Sequence, residues 1–285
     1  MKPRDALPKS PEPRAECRML DMNNEQTFSD IQSFENSLGI QGAPSREIFN
    51  KAVELGGMIA IAIYDGDRII GMSYLRTRSH PSGSIRILRN LPVESVFTFG
   101  TVVVPDARGE GLQNLLFKKR IEVIRSLGKE TLIGSFYGEN GASVRTVFNI
   151  GGRVLLYEHD ISQSGSKDIP QLIFEIDTTI LNTEKEEINA KDAMTPDAAL
   201  EALERGDAKI VVLIKSLGRE GADIEARKAM EQILASDYVG CALQTVSTDE
   251  NGVRMNGLLF RHLSTFPPDV AKRLKERKEK IKSLI

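Results

Sequence analysis

One stretch decides the fold of this chain: Val102-Val103-Val104-Pro105-Asp106-Ala107-Arg108-Gly109-Glu110-Gly111-Leu112-Gln113. A β-branched run ends at a proline, two glycines form a tight turn, and an amphipathic helix is predicted from Leu112 to about Leu127. The first N–H groups of such a helix have no partner inside it, and the helix dipole adds positive charge there. Because glycines let the backbone approach a ligand closely, the stretch predicts an anion-binding loop between a strand and a helix.

The spacing of the two glycines separates this loop from two other phosphate-binding loops. Neither Lys nor Ser or Thr follows Gly111, and Asn114 stands where a dinucleotide-binding loop has its last glycine. Arg-Gly-x-Gly after a Val-x-Pro-Asp strand end instead resembles the pyrophosphate loop of the GNAT acyltransferase superfamily, which binds the diphosphate of acyl-coenzyme A. Gln113 occupies the position where that family has Gly or Ala. A plain strand-to-helix turn without a ligand is the alternative interpretation.

A second segment carries the same resemblance. Many GNAT enzymes have Asn-x-x-Ala/Ser-x-x-x-Tyr-x-x-x-Gly-Phe after their fifth strand, and Asn140, Ser143 and Gly151 match that pattern. Val147 stands at the tyrosine position and Gly152 at the phenylalanine position. The family's tyrosine protonates the departing thiolate, which Val147 cannot do. A thiol with an ordinary pKa near 8.5 is a tolerable leaving group without that help.

The order of predicted elements extends the resemblance to residues 15–178. Hydrophobic periodicity and turn signals predict the order β-α-α-β-β-β-α-β-α-β-β, which is the GNAT order. The predicted fold class is therefore α/β with a mixed sheet, a GNAT-like acyl-CoA N-acyltransferase fold followed by a second small α+β domain. Between the predicted strands, residues 76–92 carry Pro, Gly and four arginines and are predicted to form an irregular, exposed loop.

Domain boundaries follow from composition. Residues 1–14 are polar and proline-rich and are predicted to be a flexible lead-in, and residues 179–193 are charged and are predicted to be a linker. Residues 194–285 predict the order α-β-α-β-β-α, a small accessory domain that shapes an acceptor pocket, forms a dimer surface or binds a regulator. Its last helix has one apolar stripe, and its Lys and Arg residues are predicted to form a solvated face.

Composition and charge set further bounds. A net charge of −2 and a pI near 6.1 argue against a nucleic-acid-binding protein. The sequence has no apolar run of membrane-spanning length and no signal peptide, so we expect no membrane partner and a cytoplasmic location. Cys17 and Cys241 predict a reducing compartment, and together with three scattered histidines they show no metal-ligand spacing, so no metal is expected.

The GNAT resemblance implies a set of coenzyme-binding residues. The fourth strand, Phe97–Val104, would pair with the pantetheine arm, and its amides would polarise the thioester carbonyl. Amides of the glycine loop would hold the diphosphate, with Arg108 adding a charge-assisted contact. The implied coenzyme-binding residues are Val102, Val103, Val104, Arg108, Gly109, Glu110, Gly111, Leu112, Gln113, Asn140 and Ser143.

Candidate catalytic residues are fewer. Attack by an amine needs a base, and Glu94 at the entry to the fourth strand is the first candidate, with Glu139 second. Ser143 or Tyr137 could act as the acid in place of the missing tyrosine. A solvated loop carboxylate is the alternative interpretation of Glu94, and a turn-capping residue is the alternative for Asn140.

The function implied by the resemblance is enzymatic. It is acyl transfer from acyl-CoA, with acetyl-CoA as the expected donor, to an amine that attacks directly in a ternary complex. The acceptor would be a small-molecule or protein amine. Two alternatives stay open: an acyl-carrier-protein-dependent N-acyl synthase of the autoinducer or N-acyl amino acid type, and a non-catalytic acyl-CoA-binding or assembly protein on a degenerate GNAT scaffold. Acyl chain length and oligomeric state also stay open, a homodimer included.

Overall fold

The computed structural model describes residues 15–39, 46–55, 57–79, 87, 90–137, 141–159, 170–179, 186–215, 224–248 and 254–284. The first elements are β1 (Glu16–Met19), α1 (Glu25–Ser37), α2 (Arg46–Glu54), β2 (Met58–Asp65), β3 (Arg68–Arg76), β4 (Ser95–Val103), α3 (Leu112–Ser126), β5 (Thr131–Tyr137), α4 (Gly141–Asn149), β6 (Arg153–His159) and β7 (Pro170–Asp177). They are followed by β8 (Ala193–Met194), α5 (Pro196–Glu204), β9 (Lys209–Lys215), α6 (Ile224–Ala235), β10 (Tyr238–Thr248), β11 (Arg254–His262) and α7 (Pro268–Leu284).

The described strands form one 11-stranded sheet in the order β1-β2-β3-β4-β5-β7-β6-β10-β11-β9-β8. Strands β4 and β5 run parallel, as do β8 and β9, and the other neighbours are antiparallel. The mixed α/β fold class and the order of elements predicted for residues 15–178 are therefore confirmed. Among the described residues no helix is long and apolar enough to span a bilayer.

The C-terminal strands continue the N-terminal sheet. Strand β10 pairs with β6 through Gly240 and Val154, and a Cβ on Gly240 would come within 3.0 Å of the Val154 side chain. The backbones approach closely here because Gly240 has no side chain. The division into two domains at residues 179–193 stays a prediction, but the strands on either side of it share one sheet.

Two apolar clusters hold helices against the sheet. Leu116 and Ile124 of α3 belong to one cluster, and both are fully buried. Leu274 and Ile281 of α7 belong to the other, which also contains Phe97 of β4. Since successive residues of a strand face opposite sides, the first cluster, which contains Ile61, Ala62 and Ile63 of β2, reaches both faces of the sheet there.

Two segments predicted to be irregular contribute to the core. Ile87 and Leu91 lie within the predicted exposed loop, yet both are buried, so that prediction is wrong at these positions. Ile188 lies in the predicted linker and is buried too, and its N–H donates to Gln244 Oε1 at 3.1 Å. Isolated apolar residues in a polar stretch carry no periodicity, so the sequence does not reveal their burial. The predicted lead-in, residues 1–14, lies outside the described residues.

Some basic residues of α7 pack against the sheet and do not belong to the predicted solvated face. Arg277 Nη1 lies 2.9 Å from Asp177 Oδ2 and 3.3 Å from Glu175 Oε1, both on β7. Lys278 is buried, and its ammonium donates to the carbonyl of Tyr238 at 2.8 Å. Lys280 pairs with Glu94 at the beginning of β4. These contacts fasten α7 to the sheet. The prediction of a solvated face is wrong at Arg277 and Lys278, whereas Lys280 is exposed.

We predict that Gly134→Ala in β5 destabilises the fold by about 2 kcal/mol, because overpacking a filled core costs roughly 1–3 kcal/mol. A Cβ there would come within 2.4 Å of Phe174 Cζ and 2.8 Å of Thr98 Cγ2. Gly71→Ala in β3 is the matched control, since its Cβ would meet neighbours only at 3.5 Å and beyond. Urea unfolding of both variants measures the difference, and equal midpoints would contradict the prediction.

Candidate functional site

Strands β4 and β5 separate halfway along their length. They pair in parallel over four residues of each strand, from Ser95 with Thr131 to Thr98 with Gly134. From Phe99 onward, the pairing of β4 with β5 stops, while the opposite edge of β4 continues to pair with β3 as far as Val103. A strand edge without a partner presents N–H and C=O groups to whatever enters the gap. The sheet therefore opens into a cleft beside β4.

A β-bulge lies at the point where the cleft begins. Tyr74 of β3 pairs with Phe99 and Met72 pairs with Val102, so Gly100 and Thr101 together oppose Ser73. Gly100 has φ +58°, and a Cβ there would meet the Tyr74 ring at 2.9 Å. Bulges redirect backbone groups and are frequent beside functional sites. The bulge therefore changes the direction of the main-chain N–H and C=O groups of β4 at the inner end of the cleft.

The glycine loop lies at the other end of the cleft. Gly109 and Gly111 have φ +91° and +78°, and Gly111 is the N-cap residue of α3 without any side-chain cap. Cβ atoms built on both glycines would meet open space. The first amides of α3 therefore point to an open region at the positive end of the helix dipole.

A cavity of about 590 Å³ lies against this loop. Among the predicted coenzyme-binding residues, those that line it are Val102, Val103, Arg108, Gly109, Gly111, Leu112, Gln113 and Ser143. Two of the predicted residues do not line this cavity: Val104 is buried in the protein, and Glu110 is exposed to solvent. Asn140 and Glu139 fall outside the described residues, and their roles stay predictions.

Val103 and Arg108 link the loop to the strand. The Val104 N–H donates to Ile70 O of β3 at 2.9 Å. Because N–H and C=O of one trans peptide point in opposite directions, the Val103 carbonyl faces the cleft. Arg108 Nε donates to that carbonyl at 3.1 Å. Of the three valines predicted to offer main-chain partners, Val103 is thus the one with its carbonyl in the cleft.

A second cavity of about 290 Å³ lies deeper in the cleft. Thr101, Gln113 and Ser143 line both cavities, so the inner one adjoins the loop cavity. Gln113 Nε2 donates to Ser143 Oγ at 3.0 Å and joins the beginnings of α3 and α4 where the two cavities meet. The unusual glutamine of the loop is therefore a link between two helices.

Val147, which stands at the tyrosine position of the family pattern, lines the inner cavity. Its side chain is fully buried. A Cβ on Gly152 would lie 2.3 Å from Val147 Cγ1, so the two departures from the family pattern pack against each other. Of the two predicted acid candidates, Ser143 lines this cavity. The side chain of Tyr137, the other candidate, lies outside the described part of the structure.

Glu94, the first candidate base, lies far from the bulge. It precedes Gly100 by six residues, about 20 Å of extended strand. Partial burial raises the pKa of Glu94, but the hydrogen bond and charge of Lys280 lower it more, so this pKa lies below its ordinary range. Glu94 lines neither cavity and has no place in the mechanism proposed below.

Two buried polar groups near the bulge were missed by sequence reasoning. Arg120 of α3 is fully buried, and its Nη2 donates to Ser73 Oγ and Thr101 Oγ1. On the opposite face of the sheet, Tyr74 donates its hydroxyl proton to Glu35 Oε1 of α1 at 2.8 Å. Burial, together with that hydrogen bond, raises the pKa of Tyr74, so its hydroxyl stays protonated.

Both groups carry a signal in the sequence. Arg120 lies four residues after Leu116 and four before Ile124, on the apolar stripe of its helix. Glu35 lies four residues after Ile31 on the apolar stripe of α1. A charged residue at a core position of an amphipathic helix is rare without a partner or a function.

The open β4–β5 cleft, the bulge and the glycine loop confirm the GNAT-like fold predicted from the sequence. Solved acetyltransferase structures are similar to part of this chain. They include an N-acetyltransferase from Staphylococcus aureus Mu50 (11% identity over 58% of this chain and 99% of its own, TM-score 0.45) and the ribosomal-protein-S18-alanine N-acetyltransferase of Escherichia coli (11% identity, 61% and 99%, TM-score 0.44). A GNAT-family acetyltransferase from Streptococcus pneumoniae is 14% identical over 57% of this chain and 98% of its own, with a TM-score of 0.44.

No protein-family model and no curated protein sequence matches the chain. At the identities and TM-scores of the solved structures, the likeness concerns the fold alone. The functional proposal therefore rests on the residues and cavities of this chain.

Proposed function

We propose that this protein is an acyl-CoA-dependent N-acyltransferase that transfers an acyl group, acetyl in the simplest case, to an amine. The observation that carries the proposal is the continuity of the two cavities. The outer one borders the glycine loop and the inner one borders the β4 bulge, with Thr101, Gln113 and Ser143 common to both. One coenzyme can thus have its diphosphate at the loop and its thioester at the bulge.

Each part of the cleft has a role in this proposal. The first amides of α3 and the Arg108 guanidinium bind the diphosphate, as helix N-termini and charge-assisted hydrogen bonds do. The pantetheine arm pairs with the free edge of β4, where Val103 O is offered, after Arg108 Nε releases it. Amides turned by the bulge at Gly100 and Thr101 polarise the thioester carbonyl.

The transfer is a direct displacement. The neutral amine attacks the thioester carbon, the new C–N bond forms, the C–S bond breaks, and the coenzyme leaves as thiolate. Among the described residues no carboxylate lines either cavity, so Glu139 stays the candidate for taking the ammonium proton. Ser143, which lines the inner cavity, is the candidate donor to the thiolate. The acceptor is an amine of a small molecule or a protein.

Calorimetric titration of the full chain with CoA, acetyl-CoA and pantetheine tests the proposal. We expect micromolar binding of both coenzymes, with pantetheine, which lacks the diphosphate, at least about tenfold weaker. Release of free thiol from acetyl-CoA in the presence of an amine panel then measures turnover.

The other outcomes identify the alternatives. Tight CoA binding without turnover for any amine would favour a non-catalytic coenzyme-binding protein, consistent with Val147 at the tyrosine position. Binding of an acyl-carrier protein bearing an acyl-phosphopantetheine, without binding of CoA, would favour a carrier-dependent synthase. No binding of either would overturn the proposal.

A further inference from the structure

Arg120 places an incompletely bonded cation on the wall of the inner cavity. The residue is 0% exposed and lines that cavity together with Phe117, one turn earlier in α3. Its Nη2 has two hydroxyl partners, Ser73 and Thr101, but its Nε and Nη1 have no hydrogen-bond partner in the described part of the chain. Buried donors of native proteins are almost always paired, so the two free groups need an explanation.

The described residues around Arg120 supply no negative charge to it. Among the described residues, no carboxylate forms a salt bridge with it, and the nearby ionisable group on β1 is Cys17. Burial raises the pKa of the Cys17 thiol to about 11, so the thiol is neutral at pH 7. Burial lowers the pKa of Arg120 to about 9, which still leaves the guanidinium protonated at that pH. An unpaired buried charge costs several kcal/mol.

The guanidinium is held in a fixed orientation. Its central carbon lies 4.2 Å from the centre of the Phe117 ring, a cation–π contact. Its Nη2 donates to the hydroxyls of both Ser73 and Thr101. The remaining N–H groups, on Nε and Nη1, point to opposite sides of the guanidinium, so each offers a single charge-assisted hydrogen bond, and one of them suffices for a carboxylate oxygen.

Thr101 places the Arg120 guanidinium close to the proposed reaction site. Thr101 belongs to the bulge that polarises the thioester carbonyl in the proposed function, and its hydroxyl is also a partner of Arg120. An acyl group whose carbonyl lies at the bulge therefore has its next few atoms beside Arg120. The inner cavity, at about 290 Å³, has room for a short chain.

We propose that Arg120 binds the terminal carboxylate of the acyl group, so that the donor is the CoA thioester of a short dicarboxylic acid, of the malonyl or succinyl class. The inference rests on the proposed function and specifies its donor. The chemistry of transfer is unchanged: the C–N bond forms, the C–S bond breaks, the thiolate takes up a proton, and the terminal carboxylate stays ionised and unreacted. A carboxylate would pair one of the two free nitrogens, Nε or Nη1, whereas a neutral acyl chain of the same length would leave both unpaired.

Titration of the wild-type chain with succinyl-CoA and butyryl-CoA tests the inference, since their acyl chains have the same length. We expect succinyl-CoA to bind at least about tenfold more tightly, the effect of one hydrogen-bonded charge pair. Arg120→Met, which keeps an unbranched side chain of similar length, is expected to abolish that preference, and Arg120→Lys to restore part of it. Arg125→Met is the matched control on the same helix, because Arg125 donates to Thr178 O and lines neither cavity.

Free CoA separates failure of the inference from failure of the proposed function. If CoA binds and the two acyl-CoA thioesters bind equally well to the wild type, the carboxylate role of Arg120 is overturned and the proposed function stands. If CoA does not bind at all, both are overturned. The wild-type comparison needs no variant, so it decides the question even if Arg120→Met fails to fold.

Discussion

Gly111→Ala is expected to lower the affinity for CoA about a hundredfold, the free energy of one or two charge-assisted hydrogen bonds. Gly111 has φ +78° and stands as N-cap in front of the first amides of α3. Its Cβ would lie in the open region that the loop cavity occupies. The methyl group would therefore take space from the diphosphate, and relief of the strained φ would turn the amides away from it.

Gly128→Ala is the matched control for that experiment. Gly128 follows the other end of the same helix, has φ +66°, and a Cβ there also meets open space. Both variants carry a similar left-handed strain of about 1 kcal/mol, but only the one at Gly111 changes the cavity. Thermal unfolding checks that the two variants lose similar stability, and calorimetry measures CoA binding. A similar CoA affinity in both variants would contradict the loop assignment.

Much of the N-terminal fold could be predicted because its signals are local. The apolar runs of β2 and β3, joined at Asp65-Gly66-Asp67, predict a hairpin over adjacent residues, and the structure contains that hairpin. The bulge at Gly100 could not be predicted in the same way, because it depends on the register of β4 against β3, which a long segment separates. Strand β8 has two residues and carries no periodicity at all.

The same difference between local and long-range signals applies to the candidate site. The glycine loop is a contiguous stretch, and its geometry follows from Gly109 and Gly111 alone. Glu94 is predicted as a base from its place at the entry to the fourth strand. The sequence does not reveal its ion pair with Lys280, because Lys280 lies 186 residues later. The role of Arg120 depends on which strands α3 packs against, and those contacts to Ser73 and Thr101 are set by tertiary structure.

The ion pair that fastens α7 to the sheet leads to a prediction about pH. Glu175 of β7 is 2% exposed, its Oε1 lies 3.3 Å from Arg277 Nη1, and its Oε2 has no hydrogen-bond partner among the described residues. Burial raises the pKa of Glu175 from 4.5 to about 7, and the nearby charge of Arg277 opposes that rise only in part. The neighbouring Phe174 lines the inner cavity, so this pair supports the strand that forms the site.

The direction in which stability changes with pH follows from proton binding. Since the folded state binds the Glu175 proton more tightly than the unfolded state, protonation stabilises the fold, and stability is lost as pH rises from about 4.5 through about 7. A pKa difference of this size amounts to about 3 kcal/mol. Glu175→Gln keeps an acceptor for Arg277 but removes the titration. The variant should therefore gain stability relative to the wild type between pH 5 and pH 8, by up to about that amount.

Urea unfolding at pH 5, 6, 7 and 8 measures this difference, with Glu94→Gln as the matched control. The pKa of Glu94 lies below 4.5, so its contribution to stability is present above that pH and is lost only below it. The difference between Glu94→Gln and the wild type should thus be flat between pH 5 and pH 8, whereas the difference for Glu175→Gln should change steadily. A flat difference for Glu175→Gln would show that Arg277 keeps Glu175 ionised in the folded protein, and that its attraction outweighs the cost of burying the carboxylate.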